Sequence, residues 1–160
     1  KIAVIVMSDR ASEGTYKDKS GLYLVNALTN QGAEVCAYKL IPDDFGLIQK
    51  TITDISETHD PHVILCTGGT GPGPRDVTPL ALAEHLNPEL PGIGEWLRLE
   101  SAVYTKTAWL SRMGGGLIGR ALVITLPGSL QAVKECFGIF IEGLPKAILM
   151  IEKQGRKERL

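Results

Sequence analysis

Three runs constrain this chain more than anything else in it: "KIAVIVM" at 1–7, "HVILC" at 62–66 and "ALVITLPG" at 121–128. Each is apolar almost without interruption, whereas a strand with one wet face alternates apolar and polar residues. Continuous runs belong to strands covered on both faces, which means a parallel sheet with helices above and below. The stretches between them supply such helices. In "SGLYLVNALTNQG" (20–32), Leu22, Leu24, Val25 and Leu28 share one helical stripe, with Ser20 placed to cap its start and Gly32 to end it. "AEVCAYKLI" (33–41) reads as a further strand, and "DDFGLIQKTITDISETH" (43–59) as a helix turning Ile48, Ile52 and Ile55 inward. "TPLALAEHL" (78–86) reads as a helix with Thr78 as cap and Pro79 in its first turn; "GIGEWLRLESAVYT" (92–105) is a second one. "SLQAVKECFGIFIEGLPKAILMIEK" (129–153) is a long helical region broken by Pro145, with Ser129 as its cap. This order predicts an α/β fold: a three-layer α-β-α sandwich around a mainly parallel sheet, in a single domain over residues 1–160.

Composition excludes several function classes. The 160 residues, 44% hydrophobic, suffice for one sizeable core. A net charge of -1 with well-mixed signs leaves no basic face for nucleic acid. No apolar run approaches the roughly 18 residues needed to span a bilayer, so no membrane role is expected. The amino-terminal run reads as a strand and not as a signal peptide, which points to a cytoplasmic protein. Cys36, Cys66 and Cys136 are scattered, as expected of reduced buried thiols, and no spacing suggests zinc. The basic segment "KQGRKERL" (153–160) reads as a solvated tail.

Ligands of open parallel sheets sit beyond the carboxyl ends of the strands. That rule selects four loops: "SDRASEGTYKDKSG", "PDD", "TGGTGPGPRD" and "LPGS". In the third, Gly68, Gly69 and Gly71 permit positive φ and free backbone N–H groups, an arrangement suited to phosphate. The loop lacks the lysine of a P-loop, and Pro74 replaces the third glycine of a dinucleotide fingerprint. A formal GxGxxG at Gly114, Gly116 and Gly119 precedes a strand where the fingerprint must follow one, so it is rejected. Arg75 and Asp76 at the loop's far end are more charge than a plain turn requires. Asp43 and Asp76 are each also placed to cap the helix that follows.

The loop, with the segments "VMSDRASEGTYKDKSG", "LIPDD", "PGIGEWLR", "WLSRMGG" and "LPGSLQAVKEC" in this order, resembles the molybdenum-cofactor biosynthesis proteins that bind molybdopterin. The match is closest to their molybdopterin adenylyltransferase branch. That resemblance implies the molybdopterin-binding fold and Mg²⁺-dependent transfer of the adenylyl group of ATP to the terminal phosphate of molybdopterin. It also implies a homotrimer and hand-over of the product to a molybdenum insertase. It places catalytic roles on Asp43, Asp76 and Ser111, the two aspartates also holding Mg²⁺. Substrate binding then falls to Ser8, Asp9, Arg10, Thr67, Gly68, Gly69, Thr70, Gly71, Arg75, Arg112, Pro127, Gly128 and Ser129. Arg120 is a further phosphate candidate, and Trp96 a packing or subunit contact. A paralogue that binds molybdopterin with little transfer activity, or a scaffold module, is the alternative.

Overall fold

A computed structural model describes residues 1–157. In chain order the elements are β1 (Ile2–Met7), α1 (Asp9–Ser12), α2 (Ser20–Asn30), β2 (Val35–Ile41), α3 (Phe45–His59), β3 (Val63–Thr67) and α4 (Thr78–Ala83). They continue with α5 (Pro91–Ser101), a 3-10 turn at Ala108–Leu110, β4 (Gly114–Ile118), β5 (Ala121–Leu126), α6 (Leu130–Phe140) and α7 (Leu144–Lys157). The five strands lie in the order β2-β1-β3-β5-β4; only β4 runs antiparallel to its neighbour. The expected three-layer sandwich is therefore what forms.

Strand periodicity divides the core. Along β1, Ile2, Val4 and Val6 face Leu24 and Leu28 of α2 and Val133 and Phe137 of α6. The intervening Ala3, Ile5 and Met7 face Ile48, Ile52 and Ile55 of α3 and Leu82 of α4. All six β1 residues are buried, which is why the run contains no polar residue. Cys66 and Cys136 are buried and Cys36 half-buried, all as free thiols, and burial pushes the Cys66 thiol up to about 12.

Several local expectations change. Ser20 is the first residue of α2 and not its cap; Asp18 Oδ1 instead accepts from Gly21 N–H at 2.9 Å. Gly32, at φ +81°, follows the helix end as expected. Thr78 likewise lies inside α4, after Val77, with Pro79 in the first turn. Helix α5 stops at Ser101, short of residue 105. The long terminal helix divides before Pro145: α6 ends at Phe140, and Pro145 sits in the first turn of α7, where its missing N–H costs nothing. Helix α7 reaches Lys157, well into the segment expected to be a tail, of which residues 158–160 lie outside the described residues.

The glycine-rich β4 is the element that sequence reasoning missed. Its glycines disguise it because they are depleted in strands, but close packing demands them. A Cβ on Gly115 would strike Val123 O, and one on Gly116 would come 2.5 Å from Pro88 O. Residues 87–90 lie along this outer strand, with Asn87 N–H donating to Leu117 O at 2.8 Å and Leu90 N–H to Gly115 O at 2.9 Å. The edge is thereby covered. Gly115→Ala is expected to destabilise the fold by about 1–3 kcal/mol, read as a lower urea midpoint. Gly138→Ala, on α6 with nothing within 4 Å of the added carbon, should be neutral or slightly stabilising.

Candidate functional site

The chain passes from β1 out to β2 and then returns across β1 to β3, so the strand order reverses between β1 and β3. The loops leaving their carboxyl ends diverge there and open a crevice. The glycine loop begins beside β1: Gly68 has φ +100° and its missing Cβ leaves room for Met7 O, while Gly69 has φ +64°. Only these two glycines use the left-handed region; Gly71 is glycine for a different reason. A Cβ there would lie 2.8 Å from Asp76 Oδ2, as it would at Gly73.

Charged side chains hold the loops in place. Asp76 does not cap α4: its Oδ2 accepts from Gly73 N–H at 2.9 Å, closing the loop on itself. Arg112 donates from Nε and Nη2 to Gly71 O at 3.0 and 2.7 Å, and also to Asp76 O. Its backbone N–H donates to Thr70 O at 2.7 Å, and Ser111 Oγ lies 3.4 Å from Thr70 Oγ1. Arg112 is thus a strut under the loop, with its guanidinium turned to carbonyl groups. Arg98, which sequence reasoning did not single out, anchors the same segment through Met113 O at 2.7 Å.

Asp43 is freed from capping because its neighbour Asp44 does that work, accepting from Leu47 N–H at 2.7 Å. Asp9 and Asp43 exchange bonds: each N–H donates to the other's carboxylate, at 3.0 and 2.9 Å. Arg75 grips Asp9 through Nε at 3.0 Å and through Nη2 at 2.8 and 2.9 Å. The Arg75 guanidinium, seconded by the Asp43 N–H, holds the Asp9 carboxyl below its ordinary range. Burial pushes Asp43 the other way, reinforced by the Asp9 and Asp76 charges and opposed by the Asp9 N–H bond and Arg75. Asp76 therefore lies near enough to be felt electrostatically by Asp43.

Around Gly69 two polar atoms are buried without a hydrogen bond among the described residues: Asp43 Oδ1 and Thr78 Oγ1. Both border the space a Gly69 side chain would fill, Oδ1 at 2.9 Å from it. Such orphans are rare in native interiors. A carboxylate oxygen left unsatisfied beside a second aspartate fits a small hard cation, whose remaining ligands would be substrate phosphates and water. Among the described residues no group of three or more acidic, cysteine or histidine side chains gathers at one point, so the protein by itself offers no complete cage.

Across the strand ends, on the α2–α6 side, lies a hollow of about 360 Å³ lined by Ser8, Arg10, Tyr16, Lys19, Thr67 and Ser129, among others. The starts of α2 and α6, eleven residues each, both border it and turn their positive ends toward it. Arg10 stacks over Tyr16 at 5.2 Å from the ring centroid. Thr67 Oγ1 donates to Pro127 O at 2.6 Å, and Ser129 caps α6 as expected, accepting from Ala132 N–H at 3.3 Å. The expected residues thus occupy two stations: Ser8, Arg10, Thr67, Gly128 and Ser129 line the hollow, while Asp43, Asp76, Thr70 and Ser111 stand outside its lining. Arg120 belongs to neither, since it pairs with Asp60 at 3.3 Å at the opposite end of the sheet. Tyr16, Asp18 and Lys19 also line the hollow, and none was singled out from the sequence, where they read as loop polarity.

Comparison with other proteins shows the family of this chain. Residues 3–146 match the family described as "Probable molybdopterin binding domain". The chain belongs to that family. It is 35% identical over 158 residues to molybdopterin adenylyltransferase of Helicobacter pylori strain J99, covering 94% of this chain and 86% of the relative. It is 39% identical over 140 residues to molybdopterin adenylyltransferase of Escherichia coli K12, covering 84% and 70%. The crystal structure of the molybdopterin biosynthesis enzyme MoaB from Thermus thermophilus superposes with a TM-score of 0.87 at 35% identity, covering 94% of both chains.

The Asp9–Arg75 clasp should be visible in acid. A carboxyl whose folded value is lowered contributes stability above its ordinary value, and loses it as pH falls through the lowered one. Arg75→Gln is therefore expected to lower the melting temperature near neutral pH, and the difference from wild type should shrink as pH falls below the ordinary carboxylate range, as followed by circular dichroism.

Proposed function

We propose that this protein is a molybdopterin adenylyltransferase of molybdenum-cofactor biosynthesis. It would join AMP from ATP to the terminal phosphate of molybdopterin and release pyrophosphate. The observation that carries the reading is the pairing of an anion-binding hollow with an unsatisfied, buried Asp43 oxygen next to Asp76. In the reaction a phosphate oxygen of the pterin attacks the α-phosphorus, and the bond to the β-phosphate oxygen breaks with its electron pair leaving on pyrophosphate. No protein nucleophile takes part.

The protein's task is to align two polyanions and offset their repulsion. The helix starts of α2 and α6, with Arg10, Lys19, Ser8 and Ser129, receive phosphate groups in the hollow. The free N–H groups of the glycine loop, at Gly69, Thr70 and Gly71, serve the adjoining phosphate. Asp43 and Asp76 hold Mg²⁺, which when bound neutralises charge on the α-phosphate and the leaving group. Ser111 contacts substrate next to Thr70. Asp9, Arg75 and Arg112 act one step back by keeping the loops in register.

The whole chain is read as one domain, since a single sheet carries helices on both faces. A homotrimer is part of this reading: exposed Trp96, Leu99, Val103, Tyr104 and Trp109 offer apolar area for a subunit contact, and Trp96 also lines an apolar hollow between α5, β5 and α7. Delivery of the product to a molybdenum insertase and a cytoplasmic setting complete the reading; no described helix is long and apolar enough to cross a membrane.

Asp76→Asn decides the matter. Incubated with ATP, Mg²⁺ and molybdopterin, the variant should form adenylylated pterin and pyrophosphate at a rate lower by roughly 100-fold or more, with molybdopterin binding retained. Wild-type turnover would limit Asp76 to closing its loop. A wild-type protein that binds molybdopterin without turnover would leave the binding-only paralogue.

A further inference from the structure

One wall of the anion-binding hollow is the start of α2, and a residue outside the hollow fixes where that start sits. Asp18 lies in this wall with 8% of its surface exposed, and no ion pair among the described residues reaches it. Its two oxygens have different partners. Oδ1 accepts from Gly21 N–H at 2.9 Å, and Oδ2 accepts the Tyr38 hydroxyl at 2.5 Å. Gly21 is tightly enclosed, for a Cβ there would strike Val6 and Asp18 Oδ2. One residue earlier, Ser20 Oγ donates to Gly128 O at 2.8 Å, and a Cβ added to Gly128 would come 3.3 Å from Gly68 Cα. A continuous set of contacts therefore runs from the outermost parallel strand β2, through Asp18 and α2, to the turn before α6 and the glycine loop.

A negative charge in the wall of a hollow suited to phosphate opposes anion binding through its field. Its presence there calls for a geometric benefit, and Asp18 supplies one by holding the Gly21 N–H in the first turn of α2. Burial first, and then the bond to Asp18, push the Tyr38 phenol far up, so it remains a donor throughout the neutral range. We propose that Tyr38 is a positioning residue for the anionic ligand: through Asp18 it sets the start of α2, so that this helix end and Ser20 face the phosphate. The inference rests on the reading of the hollow as a phosphate site given above.

Titration calorimetry with metal-free ATP and with inorganic pyrophosphate tests it. Tyr38→Phe removes one hydroxyl and leaves the ring. It should weaken both ligands by about 5-fold, the worth of one ordinary hydrogen bond, while the melting temperature falls by only about 2–4 °C and the variant stays folded in the assay. In turnover, KM for ATP should rise by a similar factor while kcat at saturation holds. Asp18→Asn can still accept from Gly21 N–H and bond Tyr38 through its amide, so it should bind both ligands within about 2-fold of wild type. Asp18→Ala should be at least as weak as Tyr38→Phe. Undiminished affinity in Tyr38→Phe overturns the proposal, as does an unfolded fraction at the assay temperature large enough to account for the whole loss. The double variant Arg10→Ala, Lys19→Ala separates the two levels. If ATP affinity survives it, the hollow is not the phosphate site and both readings fail. If affinity falls there but not in Tyr38→Phe, only the role of Tyr38 fails.

Discussion

The close approach of Gly68 to the end of β1 is the contact on which the candidate site depends. With no side chain, residue 68 lets the loop after β3 lie against Met7 O, at the point where the sheet's winding reverses. Any Cβ there would push the two strand ends apart. Everything on either side is set by that proximity: Asp43 and Thr78 meet across Gly69 on one flank, and the hollow opens beside Thr67 and Gly128 on the other. A sheet buried on both faces supplies the rigidity to keep the approach tight.

The charged residues of this region divide their labour unevenly. Arg75, Asp9 and Arg112 look like substrate ligands in sequence, yet each points at another loop. They spread constraint over three connections that would otherwise move independently. Among the described residues Arg10 and Lys19 at the hollow make no ion pair, and Asp43 keeps one oxygen without a hydrogen bond. This economy suits the proposed joining of two highly charged phosphates, because an unrestrained loop would respond to their repulsion by opening.

Much of this was legible in sequence. The continuous runs of β1, β3 and β5 announced strands covered on both faces, and the Ile48, Ile52, Ile55 stripe announced the inner side of α3. Ser129 was identifiable as a cap because the start of α6 follows a proline-glycine turn directly. The four strand-end loops were identifiable from the sheet rule alone. What escaped shares one cause: partners distant along the chain. β4 is built of glycines because residues 87–90 and β5 crowd it, a requirement no local propensity encodes. Ser20 lost its capping role to Asp18, two residues earlier, because its hydroxyl is drawn to Gly128, 108 residues away. Arg112 and Arg120 were indistinguishable as strings of charge, and only the fold reveals that one braces the glycine loop while the other sits at the far end of the sheet.

The bond from Thr67 to the Pro127 carbonyl, together with the packing of Gly128 on Gly68, makes two loops far apart in sequence behave as a single part. Anyone wishing to reshape this pocket by borrowing a loop from a relative would therefore have to transplant both segments at once. Exchanging either alone would leave a donor without its acceptor and two backbones competing for the same space.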